Sequence, residues 1–266
     1  MTAVLAATGI SVSFGGLRAL DAVDVEVHDG KLVGLIGPNG AGKTTFIDAI
    51  SGFVPYQGHV ELDGQSLEGM RAHARARRGL ARTWQSIELF DDLTVRENLA
   101  VASYRPSVWA TVREVLSRPV ASTEAVEQTL KLLGLDSKLD VLPSDLAQGE
   151  RKLVGVARAL AAEPRLLCLD EPAAGLDTQE SEELGRKLKE VANAGQATLL
   201  VDHDMGLVLS ISDYVVVLEF GEVIAHGTPD VVRRDPRVVS AYLGSAGQEV
   251  TAELAQDRAA RQLPGA

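Results

Sequence analysis

Apolar positions along the chain follow two rhythms, and their order predicts the elements. Near the start, Ile10, Val12 and Phe14 alternate with polar or small residues, and Val23, Val25 and Val27 do the same. A period of two places every second side chain on one face of a strand. Asp29-Gly30 is a turn signal. Next comes Leu32-Val33-Gly34-Leu35-Ile36, a near-continuous apolar run typical of a strand buried on both faces. Val60 and Leu62, closing on Asp63-Gly64, predict a further hairpin strand.

The middle of the chain changes to helical spacing. Thr94 and Glu97 stand at capping-box distance, so a helix starts there. Val126, Leu130 and Leu133 repeat at helical intervals, and Gly134 suits the stop. The stretch from about 86 to 161 therefore reads as a mostly helical insertion. Strand-like runs return at Leu166 to Leu169, Thr198 to Val201 and Tyr214 to Leu218. A helix with Leu184, Leu188 and Val191 lies between the first two and ends at Gly195. Strands alternating with helices at this spacing predict an α/β fold, a parallel sheet with helices on its faces. Thr228-Pro229 and Asp235-Pro236 each read as a cap followed by proline at the first helical position. After Gly244 the chain turns polar and alanine-rich. Residues 1–244 are thus expected to form one domain, and 245–266 a weakly ordered tail.

Composition narrows the function classes. With 45% hydrophobic residues the chain can bury a substantial core. A net charge of −11 argues against a general nucleic-acid binder held by phosphate attraction. No apolar run approaches the roughly 20 residues that cross a bilayer. Met1 to Ile10 lacks the basic start and apolar stretch of a secretion signal. The single cysteine, Cys168, lies in an apolar run and reads as core, which leaves no disulfide and no cysteine-based metal site. A reducing cytoplasm is expected, with any membrane role exercised through docking on another chain. Arg71, Arg75, Arg77, Arg78 and Arg82 form a basic cluster. It reads as a solvated helix face in preference to a surface for anionic lipid headgroups.

The chemistry starts at Gly37-Pro38-Asn39-Gly40-Ala41-Gly42-Lys43-Thr44, which fits the phosphate-loop spacing between a buried strand and a helix. Glycines let the backbone curl so that N–H groups point at phosphate oxygens. Lys43 brings a cation to the terminal phosphates, and the Thr44 hydroxyl can hold Mg²⁺. The helix that follows aims its positive end at the same anion. Leu166-Leu167-Cys168-Leu169-Asp170-Glu171 is an apolar strand ending in two carboxylates. Ligands gather at the C-terminal ends of parallel strands. Asp170 is then placed to hold Mg²⁺, and Glu171 to polarise an attacking water as general base. Two acids after a strand are by themselves more often a solvated turn, and the upstream phosphate loop reverses that preference.

With these motifs the chain, from about residue 5 to 244, resembles the nucleotide-binding subunits of ABC transporters. The resemblance implies a P-loop NTPase (RecA-like) parallel-sheet core, an N-terminal antiparallel β sub-domain and an inserted helical sub-domain. Phe14 matches the aromatic residue that stacks on adenine, and Gly37 to Thr45 the phosphate loop. Gln85, in Arg82-Thr83-Trp84-Gln85, matches the glutamine that reaches Mg²⁺ and water and senses the transmembrane partner. Leu146-Ala147-Gln148-Gly149-Glu150 stands where the signature motif belongs. Ala174-Gly175-Leu176-Asp177 looks like the loop that crosses the dimer interface, and His203 matches the histidine that contacts the terminal phosphate. Taken alone, Phe14 reads as core, Gln85 as a surface amide and His203 as structural. Their joint order carries the inference.

The signature departs from the family pattern. Ala147 replaces the usual serine, Gln148 the first glycine and Glu150 the glutamine, while Gly149 is retained. The missing hydroxyl removes a hydrogen bond worth about 1.5–3 kcal/mol to a charged acceptor. The resemblance implies two ATPase subunits that sandwich two ATP molecules, each held by the phosphate loop of one and the signature of the other. Asp91 and Asp92 are candidates for the surface that meets a membrane subunit.

Phe14-Gly15-Gly16-Leu17, Glu171-Pro172-Ala173-Ala174-Gly175-Leu176, His203-Asp204-Met205 and Ala241-Tyr242-Leu243-Gly244 look like the ATPases of branched-chain amino acid importers. The expected function is therefore ATP hydrolysis that energises import of branched-chain or other hydrophobic amino acids. The subunit would be peripheral, on the cytoplasmic side of the membrane. A second ATPase subunit, permeases and an external solute-binding protein are the implied partners. The alternatives are urea or amide uptake, lipid export, or a soluble ABC ATPase such as an iron–sulfur assembly scaffold.

Overall fold

The computed structural model describes residues 3–83, 89–103 and 130–242. Gln85, the stretch from 104 to 129 and the tail from 245 to 266 lie outside the described residues.

The early period of two produces a hairpin. Strands β1 (Leu5–Phe14) and β2 (Leu17–Val27) pair antiparallel, and β4 (Gln57–Leu62) and β5 (Gln65–Ser66) extend them into a sheet ordered β2-β1-β4-β5. Ile10, Val12, Val23, Val25, Val27, Val60 and Leu62 are all buried, as alternation requires. Phe14 breaks the pattern at the hairpin end and is half exposed.

The apolar runs build the second sheet. Strands β3 (Leu32–Ile36), β6 (Leu80–Arg82), β7 (Leu166–Asp170), β8 (Ala197–Val201) and β9 (Tyr214–Glu219) lie parallel, and β10 (Glu222–Gly227) adds an antiparallel edge, in the order β10-β9-β3-β8-β7-β6. Its two faces bury different clusters. Leu32, Ile36, Leu167, Leu169 and Leu200 face one, and Val33, Leu35, Leu166, Cys168 and Leu199 face the other. Successive strand residues point to opposite sides, so a strand covered on both faces must be apolar throughout. Helices α3 (Val95–Ser103), α4 (Gln148–Leu160), α5 (Thr178–Asn193) and α6 (Met205–Ile211) contribute to the first cluster, and α1 (Lys43–Ser51) to the second. Cys168 is fully buried, and burial pushes its thiol up to about 12.

Local signals fix several ends. Thr94 and Glu97 form the expected reciprocal cap: the Thr94 N–H donates to Glu97 Oε2 at 2.8 Å and the Glu97 N–H to Thr94 Oγ1 at 3.3 Å. Asp177 caps α5 by accepting from the Glu180 N–H at 2.8 Å. Residues 130–133 are helical and Gly134 follows with φ +72°. Helix α7 (Pro229–Arg234) starts at its proline, and 236–242 are helical again.

The basic cluster divides: Arg71, Arg77 and Arg78 are exposed, as a solvated helix face requires, and Arg75 and Arg82 are not. Arg75, on α2 (Ala72–Arg77), is buried and donates to the carbonyls of Ala49, Ile50 and Met70. Arg82 lies on β6 with its side chain 6% exposed. Both cations are satisfied by groups distant in sequence, which a local reading cannot supply.

Candidate nucleotide site

Strands β3, β8 and β7 are neighbours, so their C-terminal ends open on one edge of the sheet. Gly37 follows β3, Asp170 closes β7, and Asp202 and His203 follow β8. The parallel topology therefore brings residues 165 positions apart to one cleft.

The phosphate loop is fixed by close approaches. A Cβ on Gly37 would lie 2.2 Å from the Leu218 carbonyl oxygen. One on Gly42 would lie 2.7 Å from Leu20 Cδ2, at a φ of +104°. Only glycine fits either position. Helix α1 starts at Lys43 with no acidic residue in its first turn, so its N-terminal amides face the cleft without an internal anion. Asn39, Gly40, Ala41, Gly42, Lys43, Thr44 and Thr45 line a cleft of about 340 Å³ together with Glu171 and Leu17. Lys43 is buried and folds back, donating to the carbonyls of Gly37 at 2.7 Å and Pro38 at 3.0 Å. Burial lowers its pKa, and the nearby charges of Glu171, Asp202 and Asp170 oppose that shift.

The carboxylates sit in distinct settings. Asp170 is buried, and its Oδ2 accepts from Arg82 at 2.8 Å. The same guanidinium reaches Asp48 of α1 and so ties the phosphate-loop helix to the end of β7. Glu171 adopts φ +46°, a region that non-glycine residues avoid, and its N–H donates to the Val201 carbonyl at 2.7 Å. Such strain persists where surrounding structure holds it, often at functional positions. His203 Nδ1 lies 3.7 Å from Glu171 Oε2 and 3.5 Å from Asp202 Oδ1. Burial raises the pKa of Asp202, with its hydrogen bond from the Asp204 N–H acting the other way.

A phosphate-gripping arrangement of this kind, on this sheet order, matches a known family. A profile of the ABC transporter family matches residues 20–174, and one of the branched-chain amino acid ATP-binding cassette transporters matches 222–247. The chain belongs to the ABC transporter family. It is an ATP-binding subunit of that family and an ATPase. The chain is 38% identical over 251 residues to the high-affinity branched-chain amino acid transport ATP-binding protein BraF of Pseudomonas aeruginosa, spanning 91% of this chain and 98% of the relative. It is 39% identical, over the same shares, to LivG of Escherichia coli strain K12, a protein of the same description. The lipopolysaccharide export system ATP-binding protein LptB of that strain is 34% identical, again covering 91% and 98%. Among solved structures, the ADP conformation of MJ1267, an ATP-binding cassette of an ABC transporter, superposes with TM-score 0.79 at 29% identity. It covers 92% of this chain and all of its own.

Within this ATPase the expected site residues separate into groups. Residues 37–45, Asp170, Glu171 and His203 converge on the sheet edge. Gln85 lies outside the described residues. Phe14 stands on the hairpin end and does not line the cleft. Ala147, Gln148, Gly149 and Glu150 lie at the N-terminus of α4, away from the cleft lining. There the Ala147 N–H donates to Glu150 Oε2 at 3.0 Å and the Gly149 N–H to Glu180 Oε1 at 3.3 Å. A Cβ on Gly175 would lie 3.0 Å from Gln148 Nε2, so the signature packs on the loop before α5.

Sequence reading missed Arg82, Asp202 and Lys152. Lys152, on α4, is buried, which lowers its pKa against the opposing charges of Asp202 and Glu171. Arg82 carries no local signal, because the strand that holds it and the carboxylate-ended strand beside it are neighbours only in the fold. Nothing local marks Lys152, because its helix position differs from its neighbours only in what packs on it.

Proposed function

We propose that this subunit energises an importer of branched-chain or other hydrophobic amino acids. The observation that carries the reading is identity of 38–39% across 91% of the chain to proteins described as branched-chain amino acid transport ATP-binding proteins. The match of residues 222–247 to the branched-chain cassette profile supports it independently of the phosphate loop. Residues 1–244 act as one ATP-binding domain, with its helical part at about 86–161.

In this reading ATP lies with its phosphates on the N–H groups of residues 37–45. Lys43 exchanges the carbonyls of Gly37 and Pro38 for phosphate oxygens. The oxygen donors available, Asp170 and Thr44, suit Mg²⁺, which accepts few protein oxygens alongside phosphate. Bound there, Mg²⁺ would neutralise charge on the phosphates. Arg82 holds one Asp170 oxygen, Oδ2. Glu171 accepts a proton from the attacking water, and His203 and Gln85 contact the terminal phosphate and that water. Phe14 stacks on adenine. Ala147, Gln148, Gly149 and Glu150 face the ATP of a second ATPase subunit, same or homologous.

Force reaches the permeases through the loop before α3. Asp91 pairs with Arg151 of α4 at 3.0 Å, and Arg158 of the same helix lies over Phe90. Buried Asn98 holds the loop, accepting from the Phe90 N–H and donating to the carbonyls of Phe90, Leu93 and Thr94. Asp91 and Asp92 thus stand on a surface linked to the signature helix. Among the described residues no helix is long and apolar enough to cross a membrane. In this reading the subunit is peripheral, held on the cytoplasmic side by its permeases.

The test is co-purification of a tagged copy from membranes, followed by uptake in vesicles carrying the captured permeases and a solute-binding protein. ATP-dependent leucine, isoleucine or valine uptake is expected. Capture of lipid-export components without uptake would favour the LptB-like alternative instead.

A further inference from the structure

The cleft carries a residue that none of the motifs above includes. Leu17, Arg18 and Phe220 line it beside the phosphate loop. Phe220 is 84% exposed, and Leu17 is 70% exposed. Phe220 and Gly221 form the two-residue turn between β9 and β10, where Glu219 pairs with Glu222. Both have positive φ, +49° and +83°. This is the turn geometry that favours asparagine or glycine at its first position. A bulky L residue there is strained, and it gains nothing from core burial.

The turn is also held in place. The Gly221 N–H donates to the Ala41 carbonyl of the phosphate loop at 3.0 Å, and the Asp21 N–H donates to the Gly221 carbonyl at 2.9 Å. A Cβ on Gly221 would lie 2.6 Å from the Ala19 carbonyl oxygen, so the turn packs closely on the backbone of β2. A strained, solvent-facing aromatic ring is therefore anchored to the backbone that holds the phosphates.

We propose that Phe220, with Leu17, forms a wall of the purine-base subsite and that its ring packs on the base of the bound nucleotide. The proposal rests on the phosphate-loop reading above. It adds a base contact from the β9–β10 turn to the one expected from Phe14 on the opposite sheet. Base–aromatic stacking is strong enough to change affinity about tenfold.

The experiment measures binding of ATP and of inorganic tripolyphosphate, each with Mg²⁺, by calorimetry on the full chain. Phe220→Ala is expected to weaken ATP about tenfold while leaving tripolyphosphate unchanged, and Phe220→Trp to retain ATP affinity. The side chain is exposed, so the variants keep the core intact, and circular dichroism verifies this. ATP affinity within twofold of the parent in Phe220→Ala overturns the assignment, as does an equal loss for both ligands. Lys43→Ala separates this from the reading beneath it. If that variant loses both ligands while Phe220→Ala is inert, only the Phe220 assignment fails. If it loses neither, the phosphate-loop reading fails and takes this one with it.

Discussion

The phosphate loop and the signature segment are both backbone amides at a helix start, yet they treat those amides in opposite ways. At α1 the first turn carries no acid, and the nearest cation, Lys43, sits on its own loop carbonyls. At α4 the chain supplies its own anions, Glu150 to the Ala147 N–H and Glu180 to the Gly149 N–H. Glu150 is paired in turn with Lys138 at 3.1 Å. Helix N-termini attract anions in either case. One end is left open for a ligand and the other is satisfied from within. The difference teaches that a helix start becomes a strong phosphate site only when the sequence withholds its own carboxylates.

Breaking the open end should have the largest effect. Lys43→Ala removes a charge-assisted contact to phosphate and is expected to weaken ATP binding at least about 100-fold, measured by calorimetry. Retained affinity would erase the contrast between the two helix starts. Glu171→Gln is expected to keep ATP affinity and slow phosphate release from ATP about 100-fold or more. In gel filtration with ATP it should trap an associated pair, unless association requires a different ATPase subunit supplied alongside.

Arg82→Ala tests what supports the open end. It leaves Asp170 buried without its cation, and about 3 kcal/mol of stability should be lost, read from urea unfolding at constant slope. A loss below 0.5 kcal/mol, taken as about the effect of a surface change, would place Asp170 in a wetter setting than its burial indicates. Glu180→Ala probes the satisfied end. It removes the acceptor from Gly149 and half of the α5 capping box, a loss of about 1 kcal/mol, while ATP affinity of the isolated chain stays unchanged. A drop in that affinity would mean that the signature belongs to the chain's own cleft.

The smallest effect concerns Asp202. Burial raises its folded pKa above the ordinary 3.8. The ionised form is then disfavoured in the folded state. The contribution of this group to stability is greatest below pH 3.8, falls as pH rises from there to the folded pKa, and stays lowered above it. Asp202→Asn lacks that fall, so its gain in urea midpoint should be present at pH 7 and absent near pH 4. An equal gain at both pH values would assign the effect to packing instead.

Much of the site was legible because its residues act through local geometry. The run Gly37 to Thr44 carries its strand, its glycines and its cation in eight consecutive positions. Asp170 and Glu171, at the end of an apolar strand, became legible through the phosphate loop upstream. The strands at 32–36, 166–170 and 197–201 were readable because burial on both faces leaves them apolar at nearly every position, Asp170 and Thr198 excepted. Strands β6 and β10 were not, being a short edge piece and a polar-faced edge whose pairing comes from their neighbours. Arg75 and Arg82 read as surface residues, because the carbonyls and carboxylates that bury them are up to 88 positions away.

What the residues alone determined is the identity and order of the phosphate-binding pieces, since each rests on contacts within a few positions of the backbone. What only the tertiary structure decided is which charges are buried and which amides are already taken. Arg82 on Asp170, Lys152 near Glu171 and Glu180 on Gly149 all join separate elements, and desolvation and pairing depend on what lies across the fold.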